Sequence, residues 1–266
     1  MIKRRCAAPL ITARFFPVTE PEIMVCRNAD ELAWRAAERF VTLAQDAVAE
    51  RGRFTVVLSG GSTPKPLYSL LASAEFAARI PPLPWPRIHL FFGDERCVAP
   101  NHAESNYRMV EESLLSKILM PSENVHRMIG EIEPAIAAAA YETGLRQFFP
   151  SSQEKLPRFD LILLGLGEDG HTASLFPHSS ALNETAHLVA ATYVEKLHAH
   201  RLTLTFPVIN NAAQISFLIA GQSKAAVLKG ILAGQDSNAP AARIKPANGK
   251  LSWFITQDAA GDLVIT

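Results

Sequence analysis

A histidine in a glycine-rich loop carries the strongest chemical signal in the sequence. His171 follows three glycines and two acidic residues in the segment GLGEDGHTAS at residues 165–174, directly after an apolar run. Such a loop exposes an imidazole, which accepts a proton from water near pH 7. We expect Asp169 to fix the tautomer of the ring or to orient a substrate, with Gly170 in the binding surface. A helix start at this point would keep the ring uncharged. The alternative is a helix-capping histidine without chemistry.

A second glycine-rich loop is suited to an anion. The segment SGGSTP at residues 59–64 combines small residues that let a ligand approach the backbone, two kinds of hydroxyl and a proline suited to a helix start. Backbone N–H groups and the helix dipole then point at one spot, which predicts a phosphate site. A tight turn that only caps a helix is the alternative. The loop lacks the Walker lysine and the Rossmann glycine spacing, so it does not indicate a nucleotide. The candidate binding residues are Ser59, Gly60, Gly61, Ser62 and Thr63.

Further charged residues stand where other predicted strands begin or end. Asp94 and Arg96 belong to the segment GDER at residues 93–96, and we expect its carboxylates and guanidinium to face the same crevice, with Arg96 able to bind phosphate bidentately. An ion pair on a solvated loop is the alternative. Arg201 and Lys224 are further candidates for phosphate binding, against a surface role for each. The other seven histidines lie in less glycine-rich settings and are predicted to be surface residues.

The composition excludes several classes of protein. The chain has 266 residues, and 48% hydrophobic residues are enough for a substantial core. Lys plus Arg and Asp plus Glu both number 26, so no global positive field attracts nucleic acid or an anionic membrane. Three scattered cysteines indicate neither a disulfide framework nor a zinc site, and they favour a reducing, cytoplasmic location. No apolar stretch approaches the roughly 20 residues of a membrane span.

Apolar strands that alternate with helices predict an α/β fold. Four short apolar runs each end in a glycine and a polar loop, which indicates a largely parallel sheet covered by helices on both faces, with ligands beyond the carboxyl ends of the strands. These strands are predicted at residues 54–58, 88–92, 159–164 and 215–219. Helices are predicted at about residues 30–50, 106–119, 134–149 and 224–232. Extra strands are predicted in the C-terminal half at residues 188–194 and 201–206, with a last one at 251–255 at a sheet edge.

The domain organisation is predicted to be simple. Residues 1–22 are interpreted as an N-terminal extension, and residues 23–266 as a single α/β domain, because no repeat or composition shift forces a boundary. The basic segment 1–17 has the charge of an organelle-targeting leader. A solvated terminus is the favoured alternative, because no long apolar stretch follows.

Taken together, these segments resemble the 6-phosphogluconolactonase family, whose modified Rossmann-like fold is shared with glucosamine-6-phosphate deaminases and ribose-5-phosphate isomerases. The resemblance runs from about residue 23 to residue 258. Its marks are LSGGSTP at 58–64, GDER at 93–96 with SN at 105–106, GLGEDGHTASLFP at 165–177, RLT at 201–203 and GQSKA at 221–225. Their combination and order are highly specific.

The resemblance implies hydrolysis of 6-phospho-D-glucono-1,5-lactone to 6-phospho-D-gluconate, a step of the oxidative pentose phosphate pathway that needs no cofactor and no metal. It implies that His171 activates water with Asp169 nearby, and that Arg96 and the loop at 59–63 bind the phosphate. Asn106, in the SN segment, joins the binding set. The expected partner is a phosphorylated sugar lactone alone, bound by a monomer or a small homo-oligomer.

Two rival functions and two departures from the family pattern are apparent. A deaminase-isomerase of the same superfamily resembles GHIAFNEP where this chain has GHTASLFP, so Phe176 occupies the position of a proton-transferring glutamate, and Arg96 stands where deaminases tend to have tyrosine. A non-catalytic sugar-phosphate-binding protein is the second rival.

The sequence departs from the family pattern in two places. Residues 97–100 depart from the family's DERxVP pattern, and residues 240–243 (PAAR) lack a serine that many relatives have.

Overall fold

The computed structural model describes residues 20–150 and 156–263. These residues form ten β-strands and eight α-helices. The strands are β1 (Glu22–Cys26), β2 (Phe54–Leu58), β3 (Ile88–Phe92), β4 (Asp94–Arg96), β5 (Val125–His126), β6 (Leu161–Leu164), β7 (Val189–Val194), β8 (Ala199–Leu204), β9 (Gln214–Ile219) and β10 (Lys250–Thr256). The helices are α1 (Ala29–Arg51), α2 (Lys65–Leu71), α3 (Ala74–Ala77), α4 (Asn106–Ser113), α5 (Pro134–Phe148), α6 (Phe206–Ile209), α7 (Ala225–Leu232) and α8 (Gln257–Ala260).

The main sheet has seven strands, and every strand pair in it is parallel. Its order is β1-β10-β9-β6-β2-β3-β5. The residues of β2, β6 and β9 are all buried, as expected for strands with both faces covered. Helices flank this sheet, so the predicted α/β class with a largely parallel sheet is confirmed.

Helix α1 illustrates how local sequence sets the element boundaries. The side chain of Asn28 accepts a hydrogen bond from the Glu31 N–H at the first turn, and Gly52 ends the helix in the left-handed conformation with φ 74°. Apolar residues at helical spacing bury one face, with Phe40 fully buried. Burial of a side chain of that size contributes about 1.5–3 kcal/mol. The helix therefore packs firmly against β2 and β10.

A small antiparallel sheet stands beside the main sheet in the order β4-β8-β7. Strands β7 and β8 of this sheet confirm the two extra strands predicted at residues 188–194 and 201–206. The segment GDER, predicted as a polar loop, instead forms β4, in which Asp94 pairs with Thr203 and Arg96 pairs with Arg201. The Leu204 N–H donates to the Gly93 carbonyl at 2.8 Å, so the two sheets are joined directly after β3.

Several predicted boundaries are wrong for identifiable reasons. The last strand, β10, is not at the edge, because the five residues of β1 pair with its residues 252–256. The helix predicted at 106–119 ends at Ser113, whose hydroxyl donates to the Met109 carbonyl at 2.6 Å. The strand predicted at 201–206 ends at Leu204, and Phe206 already begins α6. The basic segment 1–17 lies outside the described residues.

Two histidines predicted to be on the surface are half-buried in an aromatic cluster at the β3–β5 edge. His126 stacks on Phe91 with ring centroids 4.2 Å apart, and its Nε2 lies 3.3 Å from Nδ1 of His89. Burial lowers the pKa of His126 to about 4, with a further contribution from His89. The surface prediction fails here because alternation along β3 and β5 directs these rings toward neighbouring aromatics.

Candidate active site

A cleft of about 240 Å³ lies beyond the carboxyl ends of the parallel strands. It is walled by the segments that follow β2, β3 and β6 and by the residue that precedes α7. Ten residues predicted from the sequence line it: Ser59, Gly60, Gly61, Ser62, Thr63, Asp94, Arg96, Asn106, His171 and Lys224. Three predicted residues, Asp169, Gly170 and Arg201, are not among the residues that line it.

The loop at residues 59–64 is anchored through its backbone. The Tyr68 hydroxyl donates to the Ser59 carbonyl at 2.8 Å and accepts from the Ser59 N–H at 3.1 Å. Burial raises the pKa of Tyr68, so this hydroxyl stays protonated. Gly61 has φ 100°, a conformation that favours glycine. The loop is thus fixed at Ser59, while Gly61 and Ser62 remain exposed to a ligand.

Asn106 packs directly against this loop. Its side-chain amide donates to the Asp94 carbonyl at 2.9 Å, and its Oδ1 would lie 1.8 Å from a Cβ added at Gly60. A glycine at position 60 is therefore required by the close approach of Asn106. Within the described residues, Asn106 Oδ1 and Ser59 Oγ are buried without a hydrogen-bond partner.

The three charged residues of β4 have different roles. Asp94 is buried and accepts from the Ser174 hydroxyl at 2.7 Å, which ties β4 to the histidine loop. Glu95 points away from the cleft and accepts from the N–H groups of Asn106 and Tyr107 at 2.7 and 2.8 Å. Burial raises the pKa of Glu95, although these hydrogen bonds oppose the shift. Glu95 therefore holds the start of α4, contrary to the prediction that both carboxylates face the crevice.

Arg96 is the guanidinium that faces the cleft. It donates to the Glu104 carbonyl and forms no ion pair within the described residues. The alternative of an ion pair with Asp94 or Glu95 is therefore wrong. Its positive charge is available to an anion in the cleft.

Arg201 and Lys224 differ in their surroundings. Arg201 is buried opposite Arg96 and donates to the His200 carbonyl at 3.1 Å. Burial and the neighbouring Arg96 lower the pKa of this guanidinium. Lys224 lines the cleft and lies 3.4 Å from the Glu168 carboxylate. Lys224 is thus in direct reach of a ligand, whereas Arg201 is buried beside Arg96 and does not line the cleft.

His171 is held on three sides. Its Nδ1 lies 2.5 Å from Asp169 Oδ1, its ring stacks on Phe176 at 4.1 Å between centroids, and a Cβ added at Gly167 would lie 2.0 Å from Nδ1. Burial alone would raise the pKa of Asp169, but hydrogen bonds from Lys196 and His171 lower it to about 2. An ionised carboxylate on Nδ1 leaves Nε2 as the nitrogen that accepts a proton.

The histidine loop does not begin a helix, so the alternative of a helix-capping histidine is wrong. Residues 165–178 form turns and a single bridge between Thr172 and Leu175, and Thr172 donates to the Gly165 carbonyl at 2.8 Å. Gly170 has φ 78°, and a Cβ there would lie 2.6 Å from the Cβ of Ala239. Gly170 therefore shapes the loop from behind, and the imidazole is held by its neighbours instead of by a helix dipole.

Sequence reasoning did not assign a role to Lys196, Ser174 or Gly167. Gly167 is one of the three glycines in the segment at residues 165–171, and such a glycine can indicate that another group packs closely against the backbone, as the His171 ring does here. Lys196 carries no local signal, because only the pairing of β7 with β8 brings it to Asp169. The described residues contain no cluster of three or more potential metal ligands. Their helices include none that is both long and apolar enough to cross a membrane.

The fold and the cleft define a class of protein. An open parallel sheet with a small ligand site beyond its carboxyl ends is the arrangement of Rossmann-like α/β proteins. Within that site, the uncharged loop at residues 59–64 and the cations Arg96 and Lys224 share the cleft with the imidazole of His171, which the Asp169 carboxylate holds.

Comparison with known proteins narrows this class. Residues 27–253 match the family described as "Glucosamine-6-phosphate isomerases/6-phosphogluconolactonase". The 6-phosphogluconolactonase of Synechocystis is 42% identical over 245 residues, which cover 91% of this chain and 98% of that protein. That of Nostoc is 39% identical over 246 residues, with the same two coverages. The chain belongs to the family of glucosamine-6-phosphate isomerases and 6-phosphogluconolactonases.

Solved structures agree with this assignment. The Thermotoga maritima 6-phosphogluconolactonase is 31% identical with a TM-score of 0.75, over 90% of this chain and all of that one. The Trypanosoma brucei 6-phosphogluconolactonase is 28% identical with a TM-score of 0.80, over 92% of this chain and 99% of that one. A monomeric glucosamine-6-phosphate deaminase is 21% identical with a TM-score of 0.73, which reflects the shared fold alone.

Proposed function

We propose that this cleft hydrolyses 6-phospho-D-glucono-1,5-lactone to 6-phospho-D-gluconate, with His171 activating the attacking water. The reaction belongs to the oxidative pentose phosphate pathway, and the matched relatives from Synechocystis and Nostoc are named for it. The observation that carries the proposal is the carboxylate-held imidazole in the same cavity as an uncharged glycine loop and two cations.

The chemistry follows from this arrangement. Nε2 of His171 accepts a proton from water as its oxygen attacks the lactone carbonyl, and negative charge develops on the carbonyl oxygen. The ring carbon–oxygen bond then breaks, and the imidazolium returns its proton to the departing ring oxygen. General acid–base catalysis of this kind contributes about a hundredfold to ten-thousandfold. Asp169 stabilises the transient imidazolium because it is ionised and bonded to Nδ1.

The other wall of the cleft binds the phosphate. Residues 59–63 offer backbone N–H groups and hydroxyls without any negative charge, and Arg96 and Lys224 supply two positive charges. A phosphate held there is remote from the lactone carbonyl, so its binding energy orients the ring toward His171. Arg201 adds charge to this wall from its buried position opposite Arg96.

Further parts of the proposal follow from the reaction and the sequence. Addition of water across an ester needs no redox cofactor and no metal. The balance of 26 basic and 26 acidic residues supports a small-molecule substrate instead of a nucleic acid. We place the enzyme in the cytoplasm as a monomer or small homo-oligomer, with residues 23–266 as one domain.

A paired assay tests the function. Freshly generated 6-phosphogluconolactone, corrected for spontaneous hydrolysis, is compared with glucosamine 6-phosphate under the same conditions. We expect rapid acid release from the lactone and no ammonia from the amino sugar, because Phe176 stacks on His171 where a deaminase has a proton-transferring glutamate. Ammonia release would reverse the assignment in favour of a deaminase. Binding of both compounds without turnover would indicate a non-catalytic sugar-phosphate-binding protein.

A further inference from the structure

Lys196 lies on the turn that joins β7 to β8 in the small antiparallel sheet. Residues Glu195–Leu197 form one 3-10 turn, and His198 ends it in the left-handed conformation with φ 46°. The His198 N–H donates to the Glu195 carbonyl at 3.1 Å, which closes the turn. The pairing of β7 with β8 along six residues each carries this turn to the histidine loop.

Lys196 lies against two of the three residues that hold the imidazole, Asp169 and Phe176, although it is not among the residues that line the cleft. Its Nζ pairs with Oδ2 of Asp169, while Oδ1 of the same carboxylate lies 2.5 Å from His171 Nδ1. The same Nζ lies 5.4 Å from the ring centroid of Phe176, within range of a cation–π contact. Phe176 in turn stacks on His171 with ring planes 24° apart.

A carboxylate that orients a histidine must itself be held. Asp169 is 29% exposed, so water competes for its oxygens. Its Oδ1 accepts from the His171 backbone N–H at 3.2 Å and meets Nδ1 of the ring, whereas its Oδ2 needs a partner of its own to hold the plane of the carboxylate. The described residues give Oδ2 one such partner, the ammonium of Lys196. The hydrogen bond from Lys196 also contributes to the low pKa of Asp169, about 2, and keeps the carboxylate ionised.

We propose that Lys196 is a positioning residue for lactone hydrolysis, which fixes Asp169 and Phe176 and thereby the orientation of the His171 ring. This inference rests on the proposed function of the same cleft. Lys196 acts on the imidazole and not on the substrate, so its loss lowers kcat and leaves KM nearly unchanged. The Lys196 side chain is 55% exposed, and ion pairs that water partly screens contribute little free energy. We therefore expect kcat to fall by only about fivefold to tenfold when the ammonium is removed.

The effect of Lys196 on pH dependence has a defined sign. The charged groups around the imidazole are Glu168 and Asp169 on its own loop, Asp94 and Arg96 on β4, and Lys224 before α7. All of these remain when Lys196 is replaced. Loss of the ammonium removes a positive charge near the ring and leaves Asp169 to interact with the ring alone. Both changes favour the protonated ring, so the acidic limb of the pH–rate profile moves to higher pH.

Three variants test this inference. Lys196→Met keeps the length of the side chain without the charge, Lys196→Arg keeps the charge, and Glu195→Gln changes a neighbouring exposed residue on the same turn as a matched control. We expect Lys196→Met to show the lower kcat and the shifted acidic limb, and Lys196→Arg and Glu195→Gln to behave like the parent. A raised KM with parental kcat would instead make Lys196 a substrate contact. Equal losses in the Met and Arg variants would indicate a structural role of the turn, and parental kinetics in Lys196→Met would leave only a surface ion pair.

A spectroscopic measurement separates this inference from the proposed function. In protein labelled with ¹⁵N-histidine, the Nδ1-bound proton of His171 is assigned by its absence in His171→Asn. We expect a downfield signal in the parent and in Lys196→Arg, and a shifted or exchange-broadened signal in Lys196→Met. An unchanged signal in Lys196→Met would overturn the positioning role. A parent that shows this signal but does not hydrolyse the lactone would contradict the proposed function, whereas a changed signal in Lys196→Met would still show that Lys196 orients the His171 ring.

Discussion

The two glycine-rich loops leave neighbouring parallel strands at the same end of the sheet, yet they are built for different tasks. The loop after β2, residues 59–64, carries no charge, is anchored through its backbone by Tyr68 and leads into α2. The loop after β6, residues 165–174, carries two acids and a histidine and folds back on itself, with the Gly167 N–H donating to the His171 carbonyl at 2.8 Å. One loop offers a surface to an anion, and the other fixes a single side chain.

This difference teaches that glycine serves two physical purposes in one site. In the first loop, Gly61 adopts φ 100° and leaves the backbone open to a ligand. In the second, Gly167 has no room for a Cβ because the imidazole occupies that space. Substitutions at the two loops are therefore expected to affect binding and turnover separately, which the following experiments test from the largest effect to the smallest.

Removal of the imidazole is expected to have the largest effect. His171→Ala should lower kcat for 6-phosphogluconolactone by about a thousandfold, because it removes the group proposed to accept the proton of the attacking water. Steady-state kinetics together with circular dichroism will check this, since the fold is expected to remain intact. A folded variant with near-parental kcat would remove His171 from the mechanism.

Displacement of the same ring without its removal should have a smaller effect. Gly167→Ala places a Cβ 2.0 Å from His171 Nδ1, so the ring must shift from the position in which Asp169 holds it. We expect kcat to fall by about tenfold to a hundredfold, since a misplaced catalytic group loses rate steeply. Gly144→Ala on α5, where a Cβ meets nothing within 4 Å, is the matched control. Equal activity of the two variants would contradict the account of how the ring is held.

Loss of the Arg96 charge from the phosphate-binding side of the cleft should raise KM. Arg96→Ala removes a guanidinium that has no ion-pair partner in the described residues, and we expect KM for the phosphorylated lactone to rise about tenfold to a hundredfold, the value of a charge-assisted hydrogen bond. The kcat should change little, because the imidazole is untouched. A drop in kcat at parental KM would show that the two loops do not divide their tasks.

A histidine outside both loops sharpens the comparison and should have the smallest effect. Burial lowers the pKa of His126 to about 4 in the folded state, below its ordinary value of 6.5. The unfolded state alone therefore binds this proton as the pH falls from 6.5 to 4, and stability is lost across that range. His126→Phe should therefore flatten the dependence of Tm on pH between 6.5 and 4 while kcat stays parental. A steeper dependence in the variant would contradict the buried, neutral state of this ring.

The sequence predicted these two loops well because their signals are local. Strand β2 was predicted at its observed residues, since a short β-branched run bounded by glycine is an unambiguous pattern. Ten of the predicted site residues line the cleft because the carboxyl ends of parallel strands converge. Whether each of these residues performs its proposed role stays a prediction.

What the sequence could not predict depends on long-range pairing. Strand β4 has only three residues and exists because β8 pairs with it, so its segment was interpreted as a loop. The direction of Glu95 toward α4 and the approach of Lys196 to Asp169 both follow from this small sheet, across gaps of 11 and 27 residues respectively. No periodicity within either segment encodes those distances.

The most direct test of the division of tasks compares two lactones in three proteins. The kcat/KM values for 6-phosphogluconolactone and for unphosphorylated gluconolactone are measured in the parent, in His171→Ala and in Arg96→Ala. The account predicts a strong parental preference for the phosphorylated lactone, an equal fractional loss on both lactones in His171→Ala, and a loss confined to the phosphorylated lactone in Arg96→Ala. Equal turnover of both lactones by the parent, or a parental preference that survives in Arg96→Ala, would contradict it.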